Sequence, residues 1–265
     1  MLSSILAQLS PDLPWRDSIQ CFDTVTSTNT LAKTLAAQGA PQGTVLIAGS
    51  QTGGRGRMGR SFYSPQDAGI YLSVILRPQC GASSLMHLTC AAAVAMCDAL
   101  EGSTGLRPGI KWTNDLVHGR KKLGGILTEL SLAADGSVDY AIIGIGINCS
   151  QQPEDFPEDI RHMAVSLSMV TGQQIQKSRV AAAMITELYR MSGSLLTGKA
   201  AVMAQYRNDC ITIGKEISLQ TDFSIRYAVA TGVDDQGALL VTFPDGHTQA
   251  VNSGEVSIRG MYGYI

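Results

Sequence analysis

Residues 109–148 read GIKWTNDLVHGRKKLGGILTELSLAADGSVDYAIIGIGIN, and their pattern indicates the class of fold. Three runs of strand length, rich in β-branched side chains, lie at 109–112, 125–132 and 138–147. The turns near them are short, one at His118-Gly119 and the other at Asp135-Gly136. Short turns join antiparallel hairpins, whereas parallel strands need a long crossover. The segment therefore predicts an α+β fold with a mixed or antiparallel sheet rather than a doubly wound α/β fold.

The rest of the first 210 residues supplies helices and further strands. Strands are predicted at 44–50 and 70–77, and helices at 29–38, 84–100, 178–196 and 199–208. Thr28 or Asn29 is predicted to cap the first helix and Ser84 the second, because small polar side chains accept hydrogen bonds from the unpaired N–H groups of a first turn. Gly39 and Gly102 are expected to end these two helices.

After Cys210 the sequence changes to short strands separated by turns. Five such strands lie within EISLQT, IRYAVAT, GALLVTF, TQAV and VSIR, and turns such as Pro244-Asp245-Gly246 separate them. Several short strands with turn residues between them indicate a small β-barrel. We therefore expect a main domain at 1–211 and a C-terminal barrel at 212–265.

The composition excludes several classes of protein. The 265 residues are 45% hydrophobic and carry a net charge of −2, which allows a buried core but argues against a dedicated DNA-binding face. The six cysteines include no CxxC pair and the four histidines lie far apart, so neither a protein-bound metal site nor a disulfide framework is predicted. The N-terminus lacks the basic region of a signal peptide, and the long uncharged run 78–97 is typical of a buried helix. We expect a cytoplasmic protein without a membrane segment.

Positive charge is concentrated in one part of this nearly neutral chain. Residues 24–66 contain no acid, and their four cations are Lys33, Arg55, Arg57 and Arg60. Three of these lie in 53–60, GGRGRMGR, where glycines expose backbone N–H groups and arginines supply forked donors. Such a loop is suited to a carboxylate or a phosphate, although a solvated basic loop has the same composition.

Two nucleotide-binding patterns overlap in this loop, and neither has the context that it needs. Gly54, Gly56 and Gly59 fit the GxGxxG pattern of dinucleotide-binding oxidoreductases, and 54–61 resembles a phosphate-binding P-loop. Both patterns require a helix to begin at the glycines, but Phe-Tyr-Ser-Pro follows at 62–65. An oxidoreductase is therefore a weak alternative.

Two further stretches carry groups suited to chemistry. Lys111, Asp115 and Lys122 bring two cations and a carboxylate to one hairpin, although each alone is more often a surface or turn residue. Gly144 and Gly146 permit close approach to a strand that ends at Asn148, although a bulge in a buried strand explains them equally well.

Taken together, these stretches resemble the biotin protein ligases over about residues 22–260. The resemblance rests on the order of the matching elements: Ser27-Thr28-Asn29, Gln51 before GRGRMGR, KWTNDL, KLGGILTE, GIGIN and a terminal GEVSIR. It implies a class II synthetase-like catalytic domain followed by an SH3-like barrel. It also implies an enzyme that makes biotinyl-5′-AMP from biotin and ATP and transfers biotin to a lysine of a biotin carboxyl carrier protein, a subunit of acetyl-CoA carboxylase.

The resemblance implies a set of site residues. It assigns the binding of biotin to Ser27, Thr28, Asn29, Gln51, Arg55, Gly56, Arg57 and Lys122. It assigns the nucleotide to Arg57, Arg60, Phe62, Asn148 and Arg259. Arg57, Lys122 and Lys111 would neutralise the reacting anions together with Mg²⁺ carried by ATP, with no metal site in the protein. Asp115 would orient the acceptor lysine or take its proton.

Three residues depart from the pattern that is frequent in the family, and alternative functions stay open. Met58 stands where many members have a basic or polar residue, Thr113 where Pro is frequent, and Phe62 where an aromatic residue, often Trp, packs over the nucleotide. About 20 residues precede the ligase segment, so the DNA-binding domain of repressor-type ligases is not expected. A side-by-side homodimer is expected from the family. A lipoate ligase and a non-catalytic biotin-binding protein are the alternatives.

Overall fold

The computed structural model describes residues 1–220, 225–252, 255–258 and 261. Its first part is built on a seven-stranded sheet. The strands are β1 (Ile19–Val25), β2 (Val45–Gln51), β3 (Gly69–Leu76), β4 (Gly109–Lys111), β5 (Asp115–His118), β6 (Lys121–Leu132) and β7 (Val138–Asn148). The helices are α1 (Leu2–Leu6), α2 (Thr28–Ala37), α3 (Leu88–Thr104), α4 (Glu158–Arg161), α5 (Leu167–Thr171), α6 (Lys177–Ser194) and α7 (Lys199–Asp209).

The order of the strands confirms the predicted α+β class. The sheet runs β1-β2-β3-β7-β6-β5-β4, with β1 and β2 parallel and every other neighbouring pair antiparallel. The hairpins of residues 109–148 form one half of this sheet. The short strand β5 was not predicted, because only six residues lie between β4 and the turn at His118-Gly119.

The central strands are buried because helices cover both faces of the sheet. On one face Ala32 and Ala36 of α2 pack against Leu46, Ile75 and Ile142. On the other face lies the larger core, to which α3 and α6 contribute. Strands that are covered on both faces need apolar side chains at consecutive positions, which explains the unbroken burial of β3.

Three of the predicted helix ends are wrong. Ser27, in an extended conformation, caps α2, and its Oγ accepts a hydrogen bond from Thr30 N at 3.4 Å. Thr28 and Asn29 are already helical, so the cap precedes both predicted candidates. Ser84 lies in a short 3₁₀ turn before α3, which begins at Leu88 and continues past Gly102 to a left-handed Gly105.

The apolar helix is part of the core. The helical stretch Ala82–Thr104 is long and apolar enough to cross a membrane by length and composition alone, but 72% of its most hydrophobic window is buried inside the protein. Helix α3 packs against α6 and α7. A core helix of a globular protein has these properties, so the stretch gives only weak evidence for a membrane segment.

The C-terminal part forms a second sheet, as predicted. Its five strands are β8 (Glu216–Gln220), β9 (Ile225–Val233), β10 (Leu239–Thr242), β11 (Thr248–Val251) and β12 (Glu255–Ile258). They pair antiparallel in the order β11-β10-β9-β8-β12. Among the described residues β11 and β12 remain the two edges, so closure into a barrel stays a prediction, as does a domain boundary at 211.

Candidate active site

One cleft brings together side chains that lie far apart in the sequence. Its lining comes from the start of α2, the loop 53–60, the segment between β4 and β5, and the adjacent strands β6 and β7. Twelve of the predicted site residues line this cleft: Ser27, Thr28, Asn29, Gln51, Arg55, Gly56, Arg57, Arg60, Phe62, Lys111, Asp115 and Lys122.

A neutral, hydrogen-bonding wall lies where α2 begins. Gln51 Oε1 accepts hydrogen bonds from Thr28 N at 2.9 Å and from Thr28 Oγ1 at 3.1 Å. Gln51 Nε2 donates to Ser64 Oγ at 2.9 Å, and Ser73 Oγ lies 2.8 Å from Thr28 Oγ1. These bonds fix the orientation of the Gln51 amide and of the Thr28 hydroxyl. The one sequence signal for Ser73 is its place as a polar residue inside the apolar run of β3.

Asn29 lines the cleft, but the protein itself occupies its amide. Its Nδ2 donates to Leu127 O at 3.2 Å and to Glu129 Oε2 at 3.0 Å, while Oδ1 accepts from Ser73 Oγ at 2.7 Å. Gly144 makes room for this amide, since a Cβ at that position would lie 1.8 Å from Asn29 Oδ1. A biotin contact by Asn29 stays a prediction, and the geometry favours a role in holding α2 against the sheet.

The glycine–arginine loop is held by its own backbone hydrogen bonds. Gly56 N donates to Arg60 O at 2.7 Å, and Phe62 N donates to Gly54 O at 2.9 Å. At the tip Met58 has φ 55°, in the left-handed region, and is 65% exposed. The loop is therefore a turned-back structure that presents its arginines at the cleft.

Two arginines of this loop reach opposite sides of the cleft. Arg55 Nη1 lies 3.2 Å from Glu129 Oε1, next to α2. Arg57 Nη1 donates to Asn114 Oδ1 at 3.0 Å, between β4 and β5. Burial lowers the pKa of Arg57, and the nearby Asp115 charge opposes this effect. Arg57 is thus the more deeply placed cation, while the charge of Arg55 is already compensated by a carboxylate.

The predicted cluster of lysines and a carboxylate is present. Lys122 Nζ lies 2.7 Å from Asp115 Oδ1. Lys111, only 7% exposed, is the cross-strand partner of Asp115 in the β4–β5 pair. Gly125 leaves space for the ion pair, since a Cβ there would lie 3.3 Å from Lys122 Nζ. Two cations and one carboxylate therefore share one side of the cleft.

The second glycine of the GIGIN stretch accommodates an aromatic ring. A Cβ at Gly146 would lie 2.4 Å from Phe62 Cε1, so the ring of Phe62 lies directly on β7. Phe62 also meets Tyr71 edge to face, with ring centres 6.4 Å apart. Gly144 therefore leaves room for the Asn29 amide, and Gly146 leaves room for the Phe62 ring. This close approach, rather than a bulge, explains the two glycines.

One predicted nucleotide contact, Asn148, lies outside this arrangement, and a second, Arg259, is not among the described residues. Asn148 is buried and is not among the lining residues; its Nδ2 donates to Val165 O at 3.1 Å, and its Oδ1 accepts from Gln151 Nε2 at 3.4 Å. Its contact with the nucleotide stays a prediction. Arg259 lies outside the described residues.

Comparison with known proteins identifies the family. Residues 21–148 match the biotin/lipoate A/B protein ligase family, and residues 212–259 match the biotin protein ligase C-terminal domain. The biotin–[acetyl-CoA-carboxylase] ligase of Paracoccus denitrificans is 32% identical over 239 residues, which are 88% of this chain and 98% of that protein. The chain belongs to the biotin protein ligase family.

Two other comparisons describe where this biotin protein ligase stands in the family. The bifunctional ligase/repressor BirA of Bacillus subtilis is 36% identical over 225 residues, 84% of this chain and 69% of that protein. The biotin protein ligase of Aquifex aeolicus, solved in complex with biotin and ATP, has a TM-score of 0.76 and 27% identity, with 91% of this chain and 98% of that chain covered. The chain is thus an enzyme that activates biotin as biotinyl-5′-AMP and transfers it to protein.

The cleft of this biotin protein ligase also contains residues that the sequence analysis did not select. They are Met58, Ser61, Trp112, Asn114, Gly125, Ile126, Leu127, Gly144, Ile145, Gly146 and Val256. Most lie in stretches that were already singled out, so their position beside a selected residue was the available signal. Val256 is different, because it belongs to β12 of the C-terminal sheet, and the resemblance of its stretch, GEVSIR, gave a role to Arg259 but none to Val256.

The described residues contain no group of three or more His, Cys, Asp or Glu side chains that could hold a metal ion. Within the lining of the cleft the carboxylate is that of Asp115, which is paired with Lys122. These side chains fit a Mg²⁺ ion that arrives with ATP as part of the substrate better than an ion held by the protein.

Proposed function

We propose that this ligase attaches biotin to a lysine of the biotin carboxyl carrier protein of an acetyl-CoA carboxylase, and that both reaction steps occur in the cleft. The observation that best supports this proposal is the placement of Arg57, Lys111 and Lys122 beside a neutral wall of hydroxyl and amide groups. The name of the Paracoccus relative supports this choice of acceptor.

Biotin combines a neutral ureido ring with an apolar body and a carboxylate. The ureido ring suits the wall of Ser27, Thr28 and Gln51, whose fixed donors and acceptors match a neutral heterocycle. Apolar side chains of the strands, such as Ile126 and Ile145, suit the body of biotin. The carboxylate then points toward Lys122.

The first step joins two anions. A biotin carboxylate oxygen attacks the α-phosphorus of ATP, a new C–O–P bond forms, and the bond to pyrophosphate breaks. Arg57, Lys111 and Lys122 reduce the repulsion between the reacting groups and stabilise the charge that develops on the phosphate. Mg²⁺ bound to ATP would add to this neutralisation. The step needs no nucleophile from the protein.

The second step needs an uncharged amine. The acceptor lysine attacks the carbonyl carbon of biotinyl-5′-AMP, an amide bond forms, and AMP leaves. Asp115 lines the cleft beside Lys122, where it can orient the incoming amine or take its proton. Lys122 then remains beside the phosphate of the departing AMP.

The nucleotide is assigned to the side of the cleft that contains Phe62. Its ring offers a stacking face against β7, and Arg60 lies in the same loop. Asn148 and Arg259 complete the proposed nucleotide set, the first through the end of β7 and the second from the C-terminal part.

Lipoate ligation is the competing activity, because the match of residues 21–148 covers both biotin and lipoate enzymes. The match of residues 212–259 to the biotin protein ligase C-terminal domain favours biotin. A non-catalytic biotin-binding protein is the second alternative. The cations Arg57, Lys111 and Lys122 in the cleft argue against it.

The deciding experiment incubates the purified chain with ATP, Mg²⁺, a carrier domain, and either biotin or lipoate. We expect one biotin per carrier domain by intact-mass measurement and no lipoate. Modification by lipoate alone would contradict the proposal. Biotin binding without biotin-dependent ATP–pyrophosphate exchange would identify a binding protein instead.

The remaining properties of this ligase are proposals, of which the dimer is taken from the family. We place it in the cytoplasm as a homodimer that acts without DNA or a membrane. Sedimentation of the purified protein with and without biotin and ATP tests the dimer. A gel-shift assay with DNA from upstream of carboxylase genes tests the absence of DNA binding.

A further inference from the structure

A half-buried carboxylate ties together three separate parts of the cleft wall. Glu129 lies on β6, and its side chain is 17% exposed. Its oxygens meet Lys33 Nζ at 3.2 Å, Arg55 Nη1 at 3.2 Å and Asn29 Nδ2 at 3.0 Å. We call these four residues the Glu129 cluster. It joins helix α2, the loop 53–60 and the sheet at one point.

The Glu129 side chain carries its charge at neutral pH. Burial by itself raises the pKa of the carboxyl group, but hydrogen bonds from Asn29 and Lys33 and the charge of Arg55 outweigh burial, so the pKa lies below its usual value. An exposed ion pair contributes little on its own. Here one shielded carboxylate receives several charged and neutral donors, and hydrogen bonds to charged groups are stronger than those between neutral groups.

The cluster has two connections to the substrate side of the cleft. Through Arg55 it holds one end of the loop 53–60, while Arg57 ties the next part of the loop to Asn114 on the other side. Through Asn29, which also binds Leu127 O and Ser73, it holds the first turn of α2. That turn carries Thr28, one of the hydrogen-bonding groups of the neutral wall. Glu129 itself is not among the lining residues.

We infer that Glu129 is a positioning residue for biotin: it holds Arg55 so that the loop spans the cleft, and it holds Asn29 so that the neutral wall keeps its geometry. The inference rests on the proposed use of this wall and loop for biotin. Glu129 then sets the affinity for biotin without contacting it. The charge of Arg55 is used mainly within the protein, and Arg57 is the arginine left for the phosphate.

The test compares two charge-removing variants. Glu129→Gln keeps the size of the side chain and an acceptor for Asn29 but removes the charge that holds Arg55. Lys33→Met is the matched control, because it removes the ion pair between Glu129 and Lys33, whose side chain is 44% exposed, and leaves Arg55 on Glu129. KM for biotin and kcat are measured by biotin-dependent ATP–pyrophosphate exchange. Trypsin cleavage after Arg55, Arg57 and Arg60 is measured by mass spectrometry.

We expect Glu129→Gln to raise KM for biotin about tenfold, in keeping with the loss of one hydrogen bond to a charged group, with kcat within about twofold. Cleavage in the loop should become faster, while Lys33→Met should match the wild type in both measurements. In a double-mutant cycle, Arg55→Gln should add little once Glu129 is replaced. Additive effects, or equal effects of Lys33→Met and Glu129→Gln, would overturn the inference.

The controls separate failure of the inference from failure of the proposed function. A wild-type protein without biotin-dependent exchange contradicts the function itself. An active wild type whose Glu129→Gln variant keeps its KM and its rate of loop cleavage contradicts only the positioning role. A Glu129→Gln variant that only loses thermal stability, with both readouts unchanged, also contradicts it. Thermal unfolding of each variant is recorded for this purpose.

Discussion

Lys122 Nζ and Asp115 Oδ1 lie 2.7 Å apart, across the pair of strands β5 and β6. This contact places a cation and a carboxylate at the same point of the cleft, so each can act in a different step. In the proposed mechanism, a substrate anion that reaches Lys122 would compete with Asp115 for the ammonium group. Asp115 would then be released toward the incoming amine.

Replacement of Lys122 should abolish adenylate formation. Lys122→Ala removes a cation from the place where negative charge develops, and the loss of one such group costs about 10²–10³-fold in rate. Biotin-dependent ATP–pyrophosphate exchange measures the step directly. Lys121→Ala is the control, because Lys121 is adjacent to Lys122 in the chain but is not among the residues that line the cleft. Near-normal exchange by Lys122→Ala would contradict the assignment.

Replacement of Asp115 should separate the two steps. Asp115→Ala keeps the cations that serve adenylation but removes the group proposed to orient the acceptor amine, a role worth about 10²-fold or more for a general base. We expect transfer to a carrier domain to fall much further than pyrophosphate exchange. Single-turnover transfer from preformed biotinyl-5′-AMP isolates the second step. Equal losses in both steps would remove the special role of Asp115.

The sequence predicted most of the strands, though not β1 or β5, and most of the site, and its errors have physical causes. The order of the matching stretches was sufficient to predict twelve of the residues that line the cleft. Most of these stretches place their polar groups at the end of a strand or helix or in the loop 53–60. The Ser27 cap was missed because three consecutive polar residues can all cap, and the path of the chain before α2 decides among them. Val256 was missed because it depends on how the C-terminal sheet packs.

Asn29 and Glu129 show a second limit of sequence reasoning. Both lie in stretches that resemble the family, and the sequence assigned Asn29 to substrate and gave Glu129 no role. The structure joins them at 3.0 Å although 100 residues separate them along the chain. A hydrogen bond between distant segments is set by the register of the sheet and the angle of the helix, neither of which a single sequence reveals.

Acid should remove the stabilisation that Glu129 provides. Its pKa is lower in the folded protein than when unfolded, so the unfolded chain binds more protons. The stabilisation is therefore present above the unfolded pKa of about 4.3 and is lost as the pH falls through the lower folded value. Urea unfolding at pH 7 and pH 3 should show that the advantage of the wild type over Glu129→Gln is smaller at pH 3. An advantage of equal size at both pH values would show that charge is not the cause.

The indole of Trp112 should couple the C-terminal sheet to the cleft. Trp112 Nε1 donates to Gly237 O at 2.9 Å, in the turn before β10, while Val256 of the same sheet lines the cleft. Trp112→Phe removes this donor, so we expect KM for ATP to rise about fivefold, the equivalent of one hydrogen bond. Trp15→Phe is the control, because Trp15 is also buried but is not part of the cleft lining. Equal KM values for the two variants would contradict the coupling.

Substitutions of two glycines should differ in their effects on stability and catalysis. A Cβ at Gly144 would lie 1.8 Å from Asn29 Oδ1, so Gly144→Ala must displace that amide and its hydrogen bonds. We expect a loss of about 1–3 kcal/mol in the free energy of unfolding and weaker biotin binding. A Cβ at Gly125 would lie 3.3 Å from the flexible end of Lys122 and 3.6 Å from Asp115 Oδ1, so Gly125→Ala should lower kcat with little change in stability. Urea unfolding and pyrophosphate exchange measure both, and equal stability losses would contradict the distinction.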